Sequence, residues 1–300
     1  MQAPLVPTQE SLPLPPAVTL RVLGVTDVGR GRDGNEDAFV VADLMASAPS
    51  PEGCHVLAVG PRGILLAVSD GVGGAAAGEV ASALTLDVLR SGLATVSAES
   101  AEAALVACVE AANRAVFEAA TARDRHGMGA TVTAVLVFGV QAYVAEVGDS
   151  RAYLLRGSKL VQVTRDQSWV QLLFDNGVLT KAEAETHQQR NVILQAIGTK
   201  ASVVVALSRF SLRGGDRLLV CSDGLTSKIS DAELQSAISG AISFEGAARS
   251  LVDLANARGG EDNITLVLAE IGHRGVPVLD ADEHVSLDTL RTFHGEIPST

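Results

Sequence analysis

Hydrophobic positions along the chain fall into two patterns. Short runs of Val, Ile, Leu and Ala at 19–26, 37–42, 55–59 and 63–69 read as strands, the last with almost no polar alternation. Two long Ala-rich segments, about 75–96 and 100–122, instead carry apolar residues at helical spacing. Strand-like runs return at 130–139, 141–147 and 150–155. A polar insert over 165–200 holds two helical pieces, and Thr180 to Glu183 has the capping-box spacing that starts the second. Strands at 203–209 and 217–222 precede helices at 231–240, opened by the box Ser230 to Glu233, and at 244–257; a final strand runs 263–270.

Strands, a helix pair, strands and a second helix pair do not alternate as a βαβ array would. The order predicts an α+β fold, a four-layer α-β-β-α sandwich in which two mainly antiparallel sheets are flanked by helix pairs. Five of the ten prolines lie in the first sixteen residues, so 1–17 reads as a flexible N-terminal tail. The domain then spans 18–271. Residues 272–300 lack sustained periodicity and read as a C-terminal tail. No internal repeat of 20–50 residues is visible.

Two interior-looking strands end in the same way. "LLAVSDG" (65–71) and "LLVCSDG" (218–224) run apolar into Asp70 and Asp223. A carboxylate there is costly unless something positive meets it. Four more acids sit where strands begin or end beside glycine. Glu36 and Asp37 lie in "GRDGNEDAFV", Asp149 in "EVGDSRAY" and Asp262 in "GGEDNITLVLAE". Each alone is ordinary turn vocabulary; the whole set in this order is not. Two carboxylates about 4 Å apart repel by roughly 4 kcal/mol at an effective dielectric of about 20, so gathering several calls for cations. An oxygen-only set without His or Cys suits Mg²⁺ or Mn²⁺ and disfavours zinc. Two such ions in one cleft would clamp a phosphoryl group and acidify a bridging water.

Composition narrows the partners. A net charge of −12 argues against nucleic acid and leaves an anionic substrate dependent on metal ions to reverse the local sign. The longest apolar stretch, Ala130 to Val140, is too short to span a bilayer, and the N-terminus has no basic region of a secretory signal. No membrane partner is therefore expected. Cys54, Cys108 and Cys221 are too few and too widely spaced for a disulfide frame or a zinc pattern, which suggests a reduced, cytoplasmic location.

Three rival signals are weaker. Gly71 to Ala76 ("GVGGAA") meets a loose dinucleotide fingerprint, but Asp70 would point a bare carboxylate at the pyrophosphate. Cys108 and Arg114 have the spacing of cysteine-dependent phosphatases, yet six helical positions put them on largely opposite faces. The six histidines show no paired spacing; His126 and His187 border loops. Trp169, Leu172, Leu173 and Phe174 read as the packed side of the first insert helix.

Taken in order, "RDGNED", "SDGVGG", "GDSRAY", "SDGL" and "EDNIT" resemble the metal-dependent protein phosphatases of type 2C, especially bacterial members. The likeness covers roughly residues 20–270 and includes "HGMGAT" and "QQRNVILQAIG". The resemblance implies a protein serine/threonine phosphatase that hydrolyses phosphoserine and phosphothreonine by direct attack of a water bridging two Mg²⁺ or Mn²⁺ ions. Two to three ions per chain are implied, together with phosphorylated protein substrates and an opposing Ser/Thr protein kinase; the chain is expected to act as a monomer. Asp37, Asp70, Asp223 and Asp262 match the metal-binding aspartates, with Asp70 bridging and the carbonyl of Gly71 adding a ligand. Glu36 would act through a coordinated water, Asp149 would serve a third metal site shared with Asp223, and Arg32 would hold the substrate phosphate. Residues 165–200 match the variable flap beside the site. One departure is Val72, which stands where many eukaryotic members carry a histidine proposed as general acid. The alternative is a catalytically inactive phosphoprotein-binding regulatory scaffold of the same fold.

Overall fold

Two six-stranded sheets pack face to face in the computed structural model, which describes residues 18–46, 53–73, 75–121, 127–277 and 284–295. The expected tail over 1–17 lies outside the described residues. The chain opens with β1 (Thr19–Asp27), β2 (Ala38–Asp43), β3 (Gly53–Ala58), β4 (Ile64–Ser69) and the two-residue β5 (Gly71–Val72). Helices α1 (Ala75–Leu93) and α2 (Ala101–Ala119) follow, then β6 (Gly129–Ala130), β7 (Val132–Phe138), β8 (Gln141–Val147), β9 (Arg151–Arg156) and β10 (Lys159–Gln162). The insert carries α3 (Trp169–Asp175) and α4 (Lys181–Thr186). After it come β11 (Ala206–Ser211), β12 (Arg217–Cys221), the single turn α5 (Asp223–Thr226), α6 (Asp231–Gly240), α7 (Phe244–Ala257), β13 (Ile264–Ile271) and β14 (Asp288–Arg291).

One sheet has the order β10-β9-β12-β13-β1-β3, the other β14-β11-β8-β7-β4-β2, and the ladders are antiparallel. The unalternating run of β4 now has its explanation. Ile64, Leu66 and Val68 face the other sheet, where they meet Val22, Leu154, Val220 and Val267. Leu65 and Ala67 face α1 and α2 and pack with Leu89, Leu105 and Val109. A central strand covered on both faces has no polar side to show. The opposite outer face, with Leu219, Leu266 and Leu268, is covered by Leu234, Ile238 and Leu251 of α6 and α7. Four layers result, as the element order predicts. Leu66 is fully buried, and its truncation to Ala should cost about 2–5 kcal/mol.

Both capping boxes form. Thr180 Oγ1 accepts from the Glu183 N–H at 3.3 Å while Glu183 accepts from the Thr180 N–H at 2.8 Å; Glu233 likewise accepts from the Ser230 N–H at 3.0 Å. On α3, Leu172 is buried, but Phe174, read as part of the packed side, is 40% exposed.

Segment 272–300, read as a tail, contains β14, which adds an edge strand beside β11. All four β14 residues are exposed, so no buried face left a periodic signal in the sequence. A shift also occurs at β11, which begins at Ala206 rather than near 203: Val203 and Val205 pack toward α1 and α2 ahead of the ladder.

Antiparallel pairing brings the decisive termini to one end of the sandwich. Ser69 at the end of β4 is opposite Ala38 at the start of β2, and Cys221 at the end of β12 is opposite Arg151 at the start of β9. Asp27 at the end of β1 is opposite Ile264 at the start of β13.

Candidate metal centre

Each predicted acid lies at that end. Asp37 precedes β2, Asp70 follows β4, Asp149 sits in the turn between β8 and β9, Asp223 opens α5 and Asp262 precedes β13. Their backbones are pinned by neighbouring polar groups. The Asp70 N–H donates to Thr131 Oγ1 at 3.0 Å, and the Thr131 N–H donates to the Asp70 carbonyl at 2.8 Å. Thr131 Oγ1 lies 2.7 Å from Ser150 Oγ, a buried hydroxyl pair that links this strand end to the turn holding Asp149.

Close backbone approach explains the glycines after the two "SD" aspartates. A Cβ at Gly71 would lie 2.2 Å from the Gly78 carbonyl oxygen and 2.6 Å from that of Glu36; one at Gly224 would lie 1.9 Å from the Asn263 carbonyl oxygen. Gly71 also donates its N–H to the Glu36 carbonyl at 3.1 Å. Loop 28–37 is thereby held against the end of β4.

Charge is crowded in this recess. Burial raises Asp70 well above the usual carboxylate range, and the nearby Asp37, Asp223, Asp149 and Asp262 raise it further. Asp149 is raised well above that range by burial, then by Asp223 and Asp166, with Arg151 opposing. Burial pushes Asp37 up to about 6 against the hydrogen bonds of Ser222 and Thr265. It also pushes Asp223 up to about 6, aided by Asp262 and opposed by a hydrogen bond with Asp70. Glu36 is raised by burial, with Arg32 opposing. Without cations, burial and mutual repulsion both disfavour full negative charge in this recess.

The donor set fits a hard divalent cation. Every candidate ligand atom is an oxygen, which excludes the sulfur and imidazole chemistry of zinc sites. Asp37 Oδ1 is buried with no hydrogen-bond partner, an orphan acceptor that a cation would satisfy. Among the described residues no three His, Cys, Asp or Glu side chains stand as ready-made ligands to one point.

Arg32 lies at the exposed rim. Its Nη2 donates to Asp262 Oδ2 at 2.9 Å, and that bond, with Glu36 and Asp70 nearby, raises its pKa further. About half of its side chain is open to solvent, leaving the rest of the guanidinium fork free to face an anion.

Several supporting residues escaped the sequence reading. Asn263 is buried and uses its whole amide. Its Oδ1 accepts from the Glu36 N–H at 2.8 Å, while Nδ2 donates to the carbonyls of Val28 at 2.8 Å and Gly34 at 2.9 Å. Ser222 Oγ donates to Asp37 Oδ2 at 2.7 Å and accepts from the Thr265 N–H at 3.0 Å. Arg151 forms a fork with Asp166, Nε to Oδ1 at 2.8 Å and Nη2 to Oδ2 at 2.6 Å, placing a cation beside Asp149 and Asp223. The serine shared by both "SDG" runs was a visible signal for Ser222; nothing local marked Asn263 or the Arg151–Asp166 pair.

The rival signals dissolve. Gly71 and Val72 form β5, paired with β6 in a two-stranded ladder, rather than a phosphate-binding turn. Cys108 lies buried on α2, its thiol pushed up by burial, while Arg114 is exposed. His126 falls outside the described residues, and His187 caps α4.

Comparison with known proteins points the same way. The family model described as Protein phosphatase 2C matches residues 53–266. The serine/threonine protein phosphatase PstP of Mycobacterium tuberculosis is 42% identical over 212 residues, 69% of this chain; the chain spans only 40% of that relative's length. The serine/threonine phosphatase stp of Listeria innocua is 34% identical over 250 residues, covering 82% of this chain and 93% of the relative. Among solved structures, the catalytic domain of PstP in complex with two manganese ions superposes with a TM-score of 0.71 at 35% identity, covering 85% of this chain and 99% of that one.

Proposed function

The chain belongs to the protein phosphatase 2C family, and from that membership we propose that it is a metal-dependent serine/threonine protein phosphatase. The observation that carries the reading is the recess of buried, crowded aspartates with Arg32 at its rim. Asp37, Asp70, the Gly71 carbonyl, Asp223 and Asp262 would hold two Mg²⁺ or Mn²⁺ ions, with Glu36 acting through water and Asp149 serving a third. Bound there, such ions supply Lewis-acid activation of water and of the phosphoryl group.

The chain's own residues do the rest. Arg32 offers a planar fork to the phosphate oxygens while Asp262 orients it. Ser222 fixes the rotamer of Asp37, and Asn263 holds the 28–36 loop at the height of Asp262. Arg151, anchored by Asp166, offsets part of the negative charge on Asp149 and Asp223. Val72 carries no proton to give the leaving oxygen, so the side chain at that position takes no part as general acid.

Substrates on this reading are phosphorylated proteins, as the names of the relatives suggest, produced by an opposing Ser/Thr protein kinase. We place the enzyme in the cytoplasm as a monomer; among the described residues no helix is long and apolar enough to cross a membrane. No observation favours an inactive scaffold. The test is hydrolysis of phosphothreonine and phosphotyrosine peptides with Mn²⁺. Turnover of the phosphothreonine peptide with strong preference over phosphotyrosine supports the assignment; absence of turnover with any added divalent ion overturns it.

A further inference from the structure

A cavity of about 490 Å³, lined by none of the candidate ligands of the acid recess, lies at the edge of the sandwich and falls in the ~300–1,000 Å³ range of small-molecule sites. Its walls are β8 and β11, the chain from Gln162 to Ser168, and the C-terminal segment from Leu287 to Gly295. Val144, Val163, Leu172, Leu194, Leu287 and Phe293 make its apolar lining.

Glu146 also faces this space and is buried, 6% exposed. It stands opposite Ala206 in the β8–β11 ladder, on the strand face that packs between the sheets. Its carboxylate accepts from the Arg165 backbone N–H at 2.9 and 3.1 Å. Among the described residues no cationic side chain forms an ion pair with it. The two arginines of the lining are turned to other partners, Arg165 Nε donating to Asp175 at 2.8 Å and Arg291 lying 3.7 Å from Glu110, and His294 is the remaining basic side chain of the wall. Asp166, a further acid of the wall, is taken by Arg151. A carboxyl set between two sheets without an ion-pair partner is costly: burial pushes Glu146 up to about 8, and the Arg165 N–H, the Thr164 hydroxyl and the charge of Arg165 offset only part of that.

We propose that this cavity binds a small organic cation, with an amine or amidine headgroup against Glu146 and an apolar body against Val144, Leu172, Leu194 and Leu287. Such a ligand supplies the direct ion-pair partner that Glu146 lacks among the described residues and fills the apolar space beside it. The wall it would touch includes Asp166, so the bound molecule sits one ion pair from the acid recess.

Benzamidine and its neutral isostere benzamide, titrated into the full chain with saturating Mg²⁺ to occupy the acid recess, test the proposal by ligand-observed NMR. Saturable benzamidine binding in the millimolar range or tighter is expected, with benzamide at least about tenfold weaker. Glu146→Gln keeps an acceptor for the Arg165 N–H and should erase that preference. Ser208→Leu, on the same face of the ladder, should weaken both probes by filling the space. Absence of saturable benzamidine binding to the wild-type chain, equal binding of the two probes, or an unchanged preference in Glu146→Gln would overturn the proposal. Binding unaffected by Ser208→Leu would overturn the location.

Discussion

Ser222 Oγ donates to Asp37 Oδ2 at 2.7 Å, joining the end of β12 in one sheet to the start of β2 in the other. Its partners lie 185 residues apart, and the bond fixes one carboxylate oxygen while the other stays without a partner. The sandwich is thus clamped at the point where the candidate ligands gather.

Removing that clamp should loosen metal binding before it affects folding. Ser222→Ala is expected to raise the Mn²⁺ concentration for half-maximal activity about tenfold, the usual scale for an outer hydrogen-bond partner of a metal ligand. Stability should fall by only about 1–2 kcal/mol. Mn²⁺ titration of turnover, with urea unfolding in parallel, separates the two; an unchanged Mn²⁺ requirement removes Ser222 from the site.

Asp70 should show opposite effects on activity and stability. Its pKa is raised well above the carboxylate range by burial and neighbouring acids, so its charged form costs free energy at neutral pH. Asp70→Asn is expected to lower turnover by several orders of magnitude. The metal-free protein should gain about 1–2 kcal/mol of stability at pH 7. Thermal melts in EDTA and kinetics in saturating Mn²⁺ check both. Near-normal kcat would contradict the role given to Asp70.

If Arg32 holds the substrate phosphate, as proposed, its loss should appear mainly in KM. Arg32→Ala is expected to raise KM for a phosphothreonine peptide more than it lowers kcat. An unchanged KM would take Arg32 out of phosphate binding, however close it stands to Asp262.

Glu146 gives a pH dependence with a definite sign. Burial carries it from its ordinary 4.5 to about 8, so the native state binds more protons than the unfolded chain between those values. This group's contribution to stability therefore falls as pH rises through that window. Relative to wild type, Glu146→Gln should gain on the order of a few kcal/mol between pH 5 and pH 8.5 in urea unfolding. A constant difference would mean that Glu146 ionises normally in the folded protein.

Much of this molecule was legible in its sequence, for identifiable reasons. The β4 run showed its double burial because Leu65 and Leu66 serve opposite faces and neither tolerates a polar residue. The acids stood out because each ends or begins an apolar strand, and the antiparallel ladders bring those strand termini to one end of the sandwich. What stayed hidden depends on distant partners. Asn263 looks like any turn residue until Glu36, 227 positions earlier, is found donating to it. β14 was illegible because an exposed edge strand buries no side, and β11 started late because Val203 and Val205 are apolar for the helical layer.

The central claim is that hydrolysis depends on cations held by the aspartates and on no thiol. Burial pushes the Cys221 thiol up to about 12 and raises Cys108 as well, so neither offers a thiolate near neutral pH. The most direct measurement is phosphothreonine-peptide hydrolysis by a Cys108→Ala/Cys221→Ala double variant, before EDTA, after EDTA, and after Mn²⁺ is returned. Turnover close to wild type, lost on chelation and restored by Mn²⁺, is expected. Wild-type activity that survives EDTA and disappears in the double variant would contradict it.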